Sequence, residues 1–144
     1  MFSNFLKSLT QPDPKPLDDG DARLALTALL VRIARTDGDY SAAEIARIDR
    51  ISTNRYGLDA TAASQLRAQA ETLESEAPDT VRFTRAIKDS VPYEHRIGVI
   101  EALWAVALAD GSRDQDEDAI VRMASSFLGV NDVDSAMARQ RVAK

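Results

Sequence analysis

Carboxylates crowd into two short stretches of this chain. The first holds Asp37, Asp39 and Glu44 around Gly38. The second holds Asp110, Asp114, Asp116, Glu117 and Asp118 after Gly111. Together these eight residues are about a third of the chain's 23 acids. Oxygen donors at that density suit a hard divalent cation: about six to eight ligands for calcium, an octahedral set for magnesium. Asp37, Asp39, Glu44, Asp110, Asp114 and Glu117 are therefore the candidate ligands, with calcium, magnesium or manganese as the candidate ion.

A second reading needs no ion. Acids at a helix start satisfy free N–H groups and complement the helix dipole. Ser41 with Glu44, and Asp114 with Glu117, have the spacing of a capping box. The turns also depart from an EF-hand loop, which places glycine sixth and a bidentate glutamate twelfth; here the glycine is second and the glutamate eighth. Capping does not account for Asp37 and Asp110, however. Each precedes a glycine expected to end a helix, where a negative charge opposes the dipole. A cation, or a basic partner docking on the acidic face, would relieve that charge.

The elements that position these turns repeat. Asp37-Gly38…Glu44 returns as Asp110-Gly111…Glu117 at an offset of 73 residues (110 − 37). Arg23/Arg96, Leu30/Leu103, Ala34/Ala107, Ala46/Ala119 and Ser52/Ser125 match at the same offset. Such self-similarity indicates a duplicated supersecondary unit of helix, Asp-Gly turn, helix. The spacing predicts a first helix over about 22–36, with Leu26, Leu29, Leu30 and Ile33 on one face. A second opens at Ser41, carries Ile45, Ile48 and Ile51, and stops at Tyr56-Gly57. A third starts at Asp59 or Thr61 with Ala62, Leu66, Ala70 and Leu73 in period, polar enough elsewhere to lie on the outside. Pro78-Asp79-Thr80 caps a fourth, which Val91-Pro92 ends. A fifth spans about 93–109 and includes Trp104. A sixth carries Ile120, Met123, Ala124, Phe127 and Leu128 up to Gly129. A seventh, capped by Asn131 or Asp132, turns Val133, Ala136 and Met137 inward. No alternating strand pattern occurs. The expectation is an all-α bundle of about seven helices, built on two duplicated hairpins (22–56 and 95–129) joined by a crossover helix pair.

Composition bounds the rest. A chain of 144 residues, 44% hydrophobic and 28% charged, is long and apolar enough for one globular core. A net charge of -5 disfavours a nucleic-acid partner. With no cysteine there are no disulfides or thiolate metal sites. No stretch approaches the roughly 20 apolar residues of a membrane span, and the N-terminus lacks the layout of a secretory signal, so the expected location is cytoplasmic. Residues 1–20 read as a short amphipathic arm (Phe2, Phe5, Leu6, Leu9) and a spacer containing Pro12, Pro14 and Pro16, ahead of a helical domain over 21–144. The arm packs on the domain or makes a weak membrane-surface or partner contact. His95, the one histidine, has no second ligand or triad partner in its sequence neighbourhood and reads as solvated; Trp104 reads as core. Neither a phosphate loop nor a nucleophile motif is present, so the expectation is a protein that is not an enzyme and works through protein partners.

The pattern Ala34-x-x-Asp37-Gly38-x5-Glu44-x3-Ile48, echoed by Ala107-x-x-Asp110-Gly111-x5-Glu117-x3-Val121, resembles the signature of the TerB-like family. That family includes the tellurite-resistance protein TerB and the N-terminal domain of certain membrane-anchored DnaJ-type co-chaperones. The resemblance covers about Asp21 to the C-terminus. It implies an all-helical duplicated bundle, an association with metal or oxyanion stress, and metal binding by acidic residues, here Asp37, Glu44, Asp110 and Glu117. Ser112 stands where the first copy has Asp39, so the two half-sites differ.

Overall fold

The computed structural model describes residue 7 and residues 19–36, 40–77, 80–109 and 115–142. Within them are seven helices: α1 (Asp19–Thr36), α2 (Ala42–Tyr56), α3 (Ala60–Glu76), α4 (Thr80–Ser90), α5 (Tyr93–Ala109), α6 (Gln115–Phe127) and α7 (Asp132–Val142). The described residues contain no strand, so the protein is all-α as its periodicity predicts.

Local chemistry sets most boundaries. Ser41 adopts extended backbone and its Oγ accepts the Glu44 N–H at 3.3 Å, opening α2. The Glu44 carboxylate does not close the expected capping box; both its oxygens accept from Arg47 Nη1, at 3.1 and 3.2 Å. Gly57, at φ +66°, ends the helix in the left-handed conformation that glycine adopts without steric cost. Asp59 caps α3 by accepting the Ala62 N–H at 2.8 Å, and Asn131 does the same for Asp134 at the head of α7, also at 2.8 Å. Gly129, at φ +68°, closes α6, with the Val130 N–H bonded back to the Ser125 carbonyl at 2.8 Å. That six-to-one bond satisfies a carbonyl the helix would otherwise leave open. The expected stops at Gly38 and Gly111, the Asp114 cap, the Pro78-Asp79 break and the N-terminal arm apart from Lys7 lie outside the described residues.

Two apolar helices organise the interior. On α1, Ala22, Ala25, Leu26, Ala28, Leu29, Leu30, Val31 and Ala34 are all buried, so the helix is enclosed on every side rather than on the single face its leucines suggest. On α5 Val99, Ile100, Ala102, Leu103 and Trp104 are buried as well, with Glu101 between them partly exposed. Helices α2 and α6 each touch both of these central helices. Helix α3 packs along α1, α7 along α5, and α4 also lies on α1. Phe83 and Ile87 of α4, Leu73 of α3 and Leu128 after α6 complete one continuous core.

Helix α3 leaves Ala60, Thr61, Ser64, Gln65, Ala68 and Gln69 exposed, as an outer helix should, and buries Ala63, Ala70, Leu73 and even Glu74, its small residues letting it approach α1 closely. One expectation fails in detail. On α7 the inward face is Ser135 and Ala138, whereas Val133 is 68% and Met137 49% exposed. The cap at Asn131 fixes the helix phase, and the small residues admit close packing against Trp104 that bulkier ones would prevent.

Candidate functional site

Of the six candidate ligands, only the Glu44 side chain is placed. Asp37, Asp39, Asp110 and Asp114 lie outside the described residues; Glu117 lies on α6, whose backbone is described there but not its side chain. Glu44 sits half-buried in the first turn of α2, its charge balanced by Arg47 one turn on. Among the described residues no group of three or more His, Cys, Asp or Glu side chains converges as a metal site would.

The frame around the first turn is well defined. Tyr40, immediately before the Ser41 cap, donates its hydroxyl hydrogen to the Glu71 carboxylate on α3. Burial, and then the hydrogen bond and negative charge of Glu71, push the Tyr40 phenol well above its usual range, so the proton stays on the tyrosine. Arg67, also on α3, bonds Asp49 of α2 at 2.8 Å and the same Glu71 oxygen at 3.4 Å. The hydrogen bond from Arg67 to Asp49 raises the arginine's own pKa. Glu74, one turn further along α3, is nearly inaccessible and takes two arginines from α1. Arg32 Nε reaches one oxygen at 2.6 Å and Arg35 Nε the other at 3.1 Å. Arg32 Nη2 adds a bond to the Glu74 carbonyl at 3.1 Å, and the Arg35 guanidinium lies 4.8 Å from the Tyr40 ring centre.

These contacts clamp the end of α1 and the start of α2 onto α3. Residues 37–39 are therefore bracketed by fixed points: Arg35 on one side, Tyr40 and Ser41 on the other. Arg32 and Arg35 thus pair with Glu74, and Arg47 with Glu44. The sequence analysis singled out neither Glu71 nor Glu74, because Tyr40 and Arg32, which they bond, lie some 30 to 40 residues away in the chain. The available signal was the pair of carboxylates one turn apart on an otherwise small-residue helix face.

With the fold and this frame in place, the class is an all-α helical module. The family model described as tellurite resistance protein TerB matches residues 23–140. The chain belongs to that family. Comparison with curated proteins and with solved structures gives no match. No helix among the described residues is long and apolar enough to cross a membrane.

Proposed function

We propose that the chain is a non-enzymatic, cytoplasmic binding module of the TerB type that takes a divalent cation at its acidic turns, in a response to metal or oxyanion stress. The observation that carries this reading is the engagement of Arg35. It is the cation of α1's last turn, yet its guanidinium is given to Glu74 and to the Tyr40 ring. An aspartate two residues further on, at the negative end of the dipole, then needs another positive partner. Tyr40 and Ser41, which follow Asp37 and Asp39 in the chain, are themselves anchored by Glu71 and by the Glu44 N–H. Asp37, Asp39 and Glu44 would supply oxygens in the first turn, and Asp110, Asp114 and Glu117 in the second. The ion would neutralise carboxylate repulsion and tie the turns together.

The matched helix pairings support the duplication that this arrangement assumes. Helix α1 packs on α3 as α5 does on α7, and α2 meets α5 as α6 meets α1. Each pairing maps onto its counterpart at the 73-residue offset.

Calorimetric titration of chelator-treated protein with calcium, magnesium and manganese tests the reading. Saturable binding is expected, with Asp37→Asn and Asp110→Asn each weakening it at least about tenfold while leaving the ion-free melt unchanged or slightly higher. If the wild-type melt is indifferent to ions and both variants melt lower, the carboxylates are structural. The acidic face would then be a docking surface for a basic protein partner.

A further inference from the structure

A second feature lies away from the acidic turns and carries the opposite charge. Arg23 and Leu26 of α1, Arg55 and Tyr56 at the end of α2, and His95 in the first turn of α5 line a cavity of about 320 Å³. That volume is at the lower end of the range for small-molecule sites. The two guanidinium carbons lie 4.6 Å (Arg23) and 5.9 Å (Arg55) from the centre of the same Tyr56 ring. Neither arginine is paired with a carboxylate among the described residues. Glu101, which lines the adjacent groove with Arg55, is engaged by Arg141 at 3.0 Å.

Arg23 shows what is missing. Its Nε is buried and has no hydrogen-bond acceptor among the described residues. A buried, charged N–H without an acceptor is costly, and natural structures seldom leave one unless something else fills the role. Two guanidiniums beside one cavity, in a chain of net charge -5, also concentrate positive potential where an anion would relieve it. The cavity wall is not uniformly polar: Leu26 and the largely buried Tyr56 ring give it an apolar side.

We propose that this cavity binds a small organic anion with a carboxylate or phosphate head. The head accepts from the Arg23 and Arg55 guanidiniums, with His95 as a further polar contact, and the body lies against Leu26 and Tyr56. The Arg55 guanidinium lies against Gly98, where a Cβ would fall on it, so a side chain there would force the guanidinium to move. Gly98 therefore leaves the room that one of the two anion donors occupies. Planar two-donor recognition of this kind is what distinguishes arginine from lysine at carboxylate and phosphate sites.

The experiment is calorimetric or NMR titration of the full chain, in low-salt phosphate-free buffer, with phenyl phosphate, benzoate and inorganic phosphate. One-to-one binding of phenyl phosphate or benzoate is expected, tighter than that of inorganic phosphate. Phenyl phosphate alone would mark a phosphate ester as the source of the head, and benzoate a carboxylate. Arg23→Gln and Arg55→Gln should each weaken binding about tenfold or more, Gly98→Ala should weaken it by displacing Arg55, and Arg85→Gln, on α4, should leave it unchanged. Arg55 is exposed, so its variant remains informative should Arg23→Gln fold poorly. Absence of saturable binding by all three probes, equal affinity for inorganic phosphate, or affinity unaffected by Arg55→Gln would each overturn the proposal. None of these outcomes depends on the acidic turns.

Discussion

The α1–α3 and α5–α7 helix pairs are the two most extensive in the molecule, and they are sealed by different chemistry. Between α1 and α3 the cross-links are ionic: Arg32 and Arg35 on Glu74. Between α5 and α7 the buried link is neutral, and the ion pair of Arg141 with Glu101 lies at the surface. Trp104 Nε1 donates to Ser135 Oγ at 3.2 Å, and Ser125 of α6 donates to the same oxygen at 3.3 Å. Residues 73 apart in sequence diverge in the same way. Arg96 gives Nε to the Val91 carbonyl at 3.1 Å and Nη1 to the Leu128 carbonyl at 2.6 Å, while Arg23 leaves its Nε without an acceptor. Ser125 is bonded, whereas the equally buried Ser52 has no partner among the described residues. Among the described residues, the half around α5 has no buried side-chain polar atom without a partner. The half around α1 seals one side with charge and leaves donors open on the other, beside the Arg23 cavity.

Removing the charged seal should have the largest effect. Glu74→Ala removes the carboxylate that Arg32 and Arg35 share in a nearly dry contact, and breaking a buried pair from one side costs about 3–5 kcal/mol. Ser135→Ala removes only a neutral acceptor and should cost about 1–2 kcal/mol. Urea unfolding of both variants measures the gap. Equal losses would mean that the ionic and neutral seals are energetically alike and that the contrast is one of appearance only.

Much of this frame was legible in the sequence. Ser41, Asp59 and Asn131 cap where their residue types predict, Gly57 and Gly129 stop their helices, and the TerB pattern pointed to the family that the chain belongs to. Periodicity identifies a buried face but not its partner, so it did not point to the long-range clamp that Glu71, Glu74 and Arg67 form. It also misjudged α7, where small Ser135 and Ala138 pack inward and Val133 is left in solvent, since hydrophobicity alone cannot weigh closeness of approach. His95 read as a solitary solvated residue; only the fold brings Arg23 and Arg55 to it. The six candidate acids were conspicuous in composition, but of their side chains only Glu44 is described, and it is bonded to Arg47.

The tyrosines extend the contrast into pH dependence. Tyr40 is pushed furthest up, by burial and then by Glu71, while Tyr93 is raised chiefly by its hydrogen bond to Asp134 and Tyr56 by burial. In each case the folded protein keeps a proton that the unfolded chain releases near pH 10. The unfolded state then binds fewer protons, so stability is full below about pH 10 and falls as pH rises above it. Tyr40→Phe should flatten that alkaline decline more than Tyr93→Phe, at a loss of roughly 1 kcal/mol at neutral pH for the missing hydrogen bond. Melting temperatures between pH 8 and about 11 decide it. Identical slopes for wild type and Tyr40→Phe would show that the Tyr40 proton is not linked to folding.

The smallest effect is the sharpest test of the asymmetry. Ser52 and Ser125 share residue type, near-complete burial and the 73-residue relationship, so substitution by alanine removes the same atoms from similar surroundings. Ser125→Ala breaks the bond to Ser135 and should cost about 1 kcal/mol, the net worth of a typical buried hydrogen bond. Ser52→Ala removes a buried hydroxyl that has no partner among the described residues, so it should be neutral or stabilise by up to about 1 kcal/mol. The cavity term is one oxygen atom in both cases and cancels in the comparison. Chemical denaturation of the two variants in parallel, read at the midpoint with unchanged slope, resolves a difference of this size. Should Ser52→Ala lose as much as Ser125→Ala, Ser52 has a bonding partner after all and the half around α1 is as internally satisfied as the half around α5.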